Sequence, residues 1–329
     1  MQWKIASSGR VSESFNRWAI RRGFPLLAWL APRVPRWFLF LGARAIISVV
    51  MFLHRAPKRA IARNLARVLG APPESRAVAR AARQMFFHLA YYWADLFRFA
   101  QLPPERLRSL VVEGDVADLE PLRAARDAGE RVILITGHVG NWELGAVLAA
   151  QADLPLSVVY VPDAFGEAEL FRSLLRRMGS VEEIPIRPED HFSSLPVLRA
   201  FAAGRIVALQ GDRDFRDSGV PVPFFGAPAR FPTGPFHLAR MTGAVLVPTF
   251  IAYATDHRFE IELGQPIAVP RTGDRDADVR AAMSSWVAVL ERAVARWPTQ
   301  WYTFFDFWQG EETEEAPARP EDGATAGAA

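Results

Sequence analysis

Apolar and polar positions along the chain fall into two regimes. Up to about residue 99 the apolar residues recur at helical spacing, and Pro25, Pro32, Pro35 and Pro57 cut the pattern into pieces. Residues 60–69 set apolar side chains on one face and arginines on the other, which predicts an amphipathic helix. Residues 75–99 predict a longer helix opened by a Ser75 cap, with an aromatic stripe near its end (Phe86, Phe87, Tyr91, Tyr92, Trp93, Phe97, Phe99) that reads as core. After Pro103-Pro104 the period changes. A short apolar run at 110–113 is followed by β-branched runs at 131–136, 156–161, 205–209, 244–251 and 258–263, which read as strands. Helical patterns lie between and after them, at 115–128, 145–152, 167–178, 193–203, 235–241 and 276–296. Strands alternating with helices predict the α/β class: a mixed central sheet with helices on both faces, spanning 109–309, behind a helical region spanning 1–108. Residues 310–329 carry almost no large apolar side chain and read as a disordered acidic tail.

The N-terminal region raises the question of a membrane. Residues 38–53 are the most apolar stretch, interrupted by Arg44 and flanked by Arg33, Arg36, Arg55, Lys58 and Arg59. The run falls short of the ~20 apolar residues that a spanning helix requires. Short apolar blocks with tryptophans and basic flanks fit a segment lying in the membrane interface; the competing reading is a helix buried against the core. No apolar core followed by a small-residue cleavage site marks a signal peptide.

Composition narrows the chemistry. The chain has 329 residues and no cysteine, so disulfides and thiolate metal sites are excluded. The net charge is +3, but 310–329 hold six acidic residues and one arginine, so the body is more basic than the total. A basic body suits an anionic membrane surface, an acidic carrier protein or a phosphate-bearing substrate. Nucleic acid is not indicated as a partner, because the aromatics sit in apolar runs rather than among arginines. His191, His237 and His257 are not spaced as metal ligands around a third partner. No Gly-x-Ser-x-Gly elbow and no phosphate-binding glycine loop is present.

The run Gly137-His138-Val139-Gly140-Asn141-Trp142-Glu143 follows the 131–136 strand at once. In open α/β sheets ligands bind outside the carboxyl ends of the strands, so His138 stands where chemistry is expected. His138 and Glu143 are five apart and would point to different faces of a continuous helix. A turn at Gly140-Asn141 would let the Glu143 carboxylate accept the imidazole Nδ1–H and leave the other nitrogen as a general base for a hydroxyl. A structural histidine in a loop is the bland alternative.

These residues resemble the His-x₄-Asp/Glu signature of the bacterial lipid A biosynthesis acyltransferase family, which includes lauroyl, myristoyl and phosphatidylinositol mannoside acyltransferases. Further blocks in the same order carry the resemblance from about residue 12 to 308. They are Gly211-Asp212-Arg213-Asp214, Val222-Pro223-Phe224-Phe225-Gly226, Thr233-Gly234, Val247-Pro248 and Trp297-Pro298-Thr299-Gln300-Trp301-Tyr302. The resemblance implies transfer of a fatty acyl group from an acyl-carrier-protein or coenzyme A thioester to a hydroxyl of a membrane lipid or glycolipid. His138 would be the base and Glu143 its partner, with no metal and no other cofactor. It implies a peripheral or monotopic place on the cytoplasmic face of the cell inner membrane. Asn141, Asp212, Arg213, Asp214 and Thr233 become candidates for substrate binding, with Arg213 meeting a phosphate or the developing oxyanion, or else forming a structural ion pair. Two departures bear on the acceptor. Tyr160-Val161-Pro162 stands where the lipid A branch often has Tyr-Arg-Pro, and Thr303-Phe304-Phe305-Asp306-Phe307 stands where His-Arg-Arg usually follows. Losing basic residues at both places argues against a lipid A precursor and leaves room for a less anionic lysolipid or glycolipid. An inactive, lipid-binding relative of the same fold is the alternative from another class.

Overall fold

The computed structural model describes residues 31–53, 56–99, 102–112, 119–162, 181–186, 194–214 and 218–308, together with 23, 26, 27, 29, 30, 173 and 176. The expected acidic tail and most of the 167–178 helix lie outside the described residues, as does the N-terminal part of the region expected to dock on a membrane.

Six strands form the central sheet: β1 (Val132–Thr136), β2 (Leu156–Tyr160), β3 (Glu182–Pro185), β4 (Ile206–Gln210), β7 (Val245–Tyr253) and β8 (Phe259–Leu263). Their order is β3-β2-β4-β1-β7-β8. All neighbours are parallel except β8, which returns antiparallel to β7. β5 (Val220–Phe224) and β6 (Ala227–Phe231) form a separate antiparallel hairpin. Its turn places Phe225 and Gly226 at φ 50° and 76°. The pattern reading did not mark this hairpin as strands, because Pro221, Pro223 and Pro228 count against a ladder. In a two-stranded ribbon these prolines point outward while Val222, Phe224, Ala229 and Phe231 point in, so the missing donors cost little. β3 was also missed: its four residues, Glu182-Glu183-Ile184-Pro185, bury one side chain at an edge.

The N-terminal helices are α1 (Arg36–Leu53), α2 (Ala56–Leu69) and α3 (Arg76–Phe99). Ser75 caps α3 as expected, its Oγ accepting from Val78 N–H at 3.2 Å. A short α4 (Pro104–Arg108) leads to the core, where α5 (Glu120–Asp127), α6 (Leu144–Gln151), α7 (Leu195–Ala202), α8 (Gly234–Thr242) and α9 (Arg275–Arg296) connect or follow the strands. α8 and α9 cover one sheet face through Phe236, Leu238, Trp286 and Leu290, which meet Ile133, Ile135, Val207 and Phe250. α5 and α6 lie against the other face through Leu122, Ala146 and Ala149. The layers are those expected of the class, and the sheet is mostly parallel.

Strands of a parallel sheet are normally buried on both faces. Here β1, β2 and β4 each bury their first, second and fourth residues and leave the third and fifth half-buried. Those six residues (Leu134, Thr136, Val158, Tyr160, Ala208, Gln210) share one face and line a cavity of about 350 Å³ between the sheet and helices α5 and α6.

α1 rests on the body by its inner side. Leu39 and Phe40 are buried, and Arg36 donates to Asp95 of α3 at 2.8 and 2.6 Å and to the His257 carbonyl at 2.6 Å. Its outer side exposes Trp37, Phe38, Leu41, Ile46, Val49 and Phe52, the last 82% accessible. Such a contiguous apolar row is unusual on a surface that meets only water. No helix among the described residues is long and apolar enough to cross a membrane.

The loop after β1 is pinned at three points. Gly140 N–H donates to the Gln300 carbonyl at 2.9 Å, Asn141 N–H to the Ile251 carbonyl at 2.7 Å, and Tyr302 N–H to the His138 carbonyl at 2.9 Å. Gly140 sits at φ 68°, and a Cβ there would lie 2.0 Å from the Ile251 carbonyl oxygen. Both the left-handed backbone and the close approach exclude a side chain. Gly140→Ala should therefore destabilise the fold by more than about 1 kcal/mol, the usual scale for a side chain forced into such a backbone. Urea unfolding beside a Gly129→Ala control, at φ 74° but with open space around the Cβ, would separate the clash from the φ cost.

Candidate active site

β1 and β4 are adjacent and parallel, with Thr136 paired to Gln210. Each strand is followed by a glycine and then a polar residue, Gly137-His138 and Gly211-Asp212. The register therefore sets His138 beside Asp212, two residues past each strand. The glycines permit the approach: a Cβ on Gly137 would meet Leu290 Cδ1 at 2.8 Å, and one on Gly211 would meet Ile135 Cδ1 at 2.7 Å.

Asp212 is wholly buried. A bare carboxylate there would cost several kcal/mol, so its oxygens must be satisfied. One oxygen accepts the His138 backbone N–H at 2.8 Å and the other faces His138 Nδ1 at 2.7 Å. Burial acts to raise the Asp212 pKa, but the charges and hydrogen bonds of His138 and Arg213 hold it below the ordinary carboxylate value. An ionised carboxylate only accepts, so Nδ1 carries the proton. The Nε2 lone pair is then left for the cavity that His138 lines. Burial, then the Arg213 charge, pushes the imidazole pKa down to about 4 against the opposing pull of Asp212, so the ring is neutral at physiological pH.

The ring partner is thus Asp212 and not Glu143, a correction to the expectation drawn from the His-x₄-Glu spacing. The turn at Gly140-Asn141 exists, but it is spent on hydrogen bonds to Ile251 and Gln300. Glu143 reaches the cavity just before α6, and its carboxylate is held by Arg176 at 3.0 and 3.3 Å. Arg176 also donates to Glu183 of β3 at 3.1 Å and lies 4.4 Å over the Tyr160 ring. A buried acid in such a cluster supports the wall of the site.

Of the other candidates, Arg213 lines the cavity. Its Nη2 donates to the Tyr302 carbonyl at 2.5 Å, its Nε has no partner, and burial lowers its pKa to about 10. Asn141 is buried with its backbone N–H on Ile251 and its Nδ2 unpaired, and it is not among the cavity's lining residues. Asp214 accepts the Gly219 N–H, and Thr233 stands as the N-cap residue of α8; neither lines the cavity. The sequence reading missed Trp142, Arg176, Gln210 and Tyr302 as cavity residues. Trp142 packs edge-on against His138 at 5.2 Å, and Gln210 Nε2 and the Tyr302 hydroxyl are buried there without partners. Trp142 and Tyr302 stand inside the blocks already singled out; Arg176 carries no comparable signal. Among the described residues no group of three or more acidic or histidine side chains is placed to hold a metal ion.

A neutral, oriented imidazole at the head of an apolar cavity, with an arginine beside it, is equipped for acyl transfer. Residues 10–309 match the family described as bacterial lipid A biosynthesis acyltransferase, and the chain belongs to that family of acyltransferases. Its relatives include a phosphatidylinositol mannoside acyltransferase of Mycolicibacterium smegmatis, 29% identical over 260 residues that cover 78% of this chain and 81% of the relative. Proteins of the same description from two strains of Mycobacterium tuberculosis are 26% identical over 314 residues, covering 94% of this chain and 93% of each relative.

Four outcomes follow for this site. Asp212→Asn should lower kcat/KM by about 10²–10⁴-fold, the range of a lost general base, and the wild-type rate should stay level as the pH falls from 8 through ~6.5, dropping only toward the lowered imidazole pKa of about 4. Stability follows the same window: the unfolded chain protonates this ring below 6.5 and the folded one only near 4, so stability is lost as the pH falls between them. Glu143→Ala leaves Arg176 without one of its buried partners and should cost about 3–5 kcal/mol. Denaturant unfolding of that variant, showing a stability equal to the wild type, would remove Glu143 from the structural role.

Proposed function

We propose that the protein transfers a fatty acyl group from an acyl-carrier-protein or coenzyme A thioester to a hydroxyl of a membrane glycolipid or lysolipid. The observation that carries the reading is the His138–Asp212 pair at the head of the 350 Å³ apolar cavity. The acyl chain lies along the half-buried sheet face with its thioester carbonyl beside His138. Nε2 takes the proton of the acceptor hydroxyl, and the oxygen attacks the carbonyl carbon. Arg213 and Gln210 face the oxyanion that forms. The tetrahedral intermediate expels the thiolate, which recovers the proton from Nε2–H, leaving an ester and a free thiol. A ring with a low pKa is a weak base until negative charge develops beside it. The proton is then drawn onto Nε2 as the oxyanion forms, with Asp212 holding the imidazolium.

The acceptor is drawn from the surroundings of the site. Val161 and Phe304 line the cavity in the two segments where the lipid A branch would bring basic residues. The relatives described as phosphatidylinositol mannoside acyltransferases support a glycolipid. Docking on an inner membrane by the outer face of α1 fits this chemistry. Trp93 of α3 packs against the clusters that hold Leu39 and Phe40 of α1 and also lines the cavity, so α3 lies between α1 and the cavity.

Incubation with labelled acyl thioester and a membrane lipid extract tests the reading, with products identified by mass spectrometry. The wild type should form an acylated lipid, and His138→Ala should lose at least about 10²-fold in rate while still binding lipid vesicles. Product formed at an unchanged rate by that variant would overturn the mechanism. Vesicle binding by the wild type without any product would favour the inactive lipid-binding alternative.

A further inference from the structure

The apolar cavity below His138 is not closed by the core. A second cavity of about 450 Å³ continues along the same sheet face toward the amino-terminal ends of β1 and β7. β1 shows the relation, since Thr136 and Leu134 line the first cavity and Val132 lines the second. β7 repeats it, with Thr249 and Ile251 on the first and Val247 and Val245 on the second. Side chains two apart share a face, and Val132 and Leu134 pair with Val245 and Val247, so the two cavities lie end to end. Two residues belong to both walls: Leu122 of α5 and Leu263 of β8. Beyond them the second cavity meets the exposed residues Glu130, Gln265 and Pro266.

We infer that Leu122 and Leu263 form the partition that sets the longest acyl chain the protein transfers. This rests on the reading that the acyl chain occupies the first cavity. An alkyl chain entering from His138 runs past Thr136 and Leu134 and then meets the two leucines. Leu122 is buried and Leu263 half-buried, so the pair is packed from the α5 side and from the β8 side. A longer chain must displace them, which disrupts packed side chains. A shorter one leaves apolar wall uncovered. Chain length is therefore read where the two cavities abut, remote from the reacting atoms. Trimming either leucine joins the cavities and gives additional methylenes an apolar wall.

The experiment measures kcat/KM over a graded series of saturated acyl coenzyme A thioesters, with thermal melting as the check on folding. Leu263→Ala should move the optimum to longer chains, raising the rate about fourfold for each further methylene that finds room, the value of burying one CH₂ group. Leu263→Val and Leu122→Val, gentler on packing, should move it the same way by less. Leu134→Phe narrows the first cavity above the partition and should move the optimum to shorter chains. Should Leu134→Phe shorten the preference while all three leucine variants keep the wild-type profile, the partition is overturned and the occupied cavity stands. If Leu134→Phe also leaves the profile unchanged, the chain does not lie in this cavity and both readings fall.

Discussion

The site depends on one buried carboxylate. Asp212 is wholly buried, and it takes hydrogen bonds from both the backbone and the ring of a single neighbour, His138. That grip fixes the position of the imidazole and its tautomer together. It also ties the ends of two strands whose paired residues lie 74 apart in sequence. The parallel pairing of β1 with β4 brings the residues level, and the glycines ahead of each let the loops approach. Much of the surrounding structure serves this contact: α9 packs Leu290 beneath Gly137, and Trp286 donates to the Gly211 carbonyl at 3.2 Å.

The open face of the sheet carries a cost as well as a use. Six half-buried side chains in the middle of a parallel sheet forgo close packing, and packing is where most of a core's stability arises. The opposite face compensates with large side chains, among them Phe250 stacked on Trp286 at 5.8 Å. The protein is thus tightly packed on one side and hollow on the other, and His138 faces the hollow side. α1, with its apolar outer row, lies on the side of the molecule where α3 borders the cavity.

Much of the fold was legible in the chain. β1, β2, β4, β7 and β8 are β-branched runs long enough to be recognised, and α3 and α9 are amphipathic over many turns. The hairpin of β5 and β6 was hidden because its prolines are tolerated only where no neighbouring strand needs their donors, which pattern alone does not reveal. His138 was legible from its place at a strand end. Its partner was not, although the text contained it: two strands, each ending in glycine and a polar residue, repeat the same phrase at 137–138 and 211–212. Recognising the repeat as a contact requires knowing that β4 lies next to β1, and strand order is not written locally. Glu143 was favoured because it is near in sequence, yet Gly140 and Asn141 between it and His138 are committed to hydrogen bonds with Gln300 and Ile251. Arg176, which holds Glu143, stands in a stretch with no distinguishing motif.

The bracket formed by Gln300 has a further consequence. Its amide accepts from Tyr253 N–H at 2.8 Å and donates to the Tyr253 carbonyl at 2.9 Å, while its own carbonyl and the neighbouring Tyr302 N–H hold the loop that carries His138. The reactive loop is therefore latched by a segment made long after it. During synthesis a nascent polypeptide lacking that latch has its histidine but not the frame that aims it. The frame around His138 is therefore completed only once Gln300 and Tyr302, near the end of the described chain, have been made.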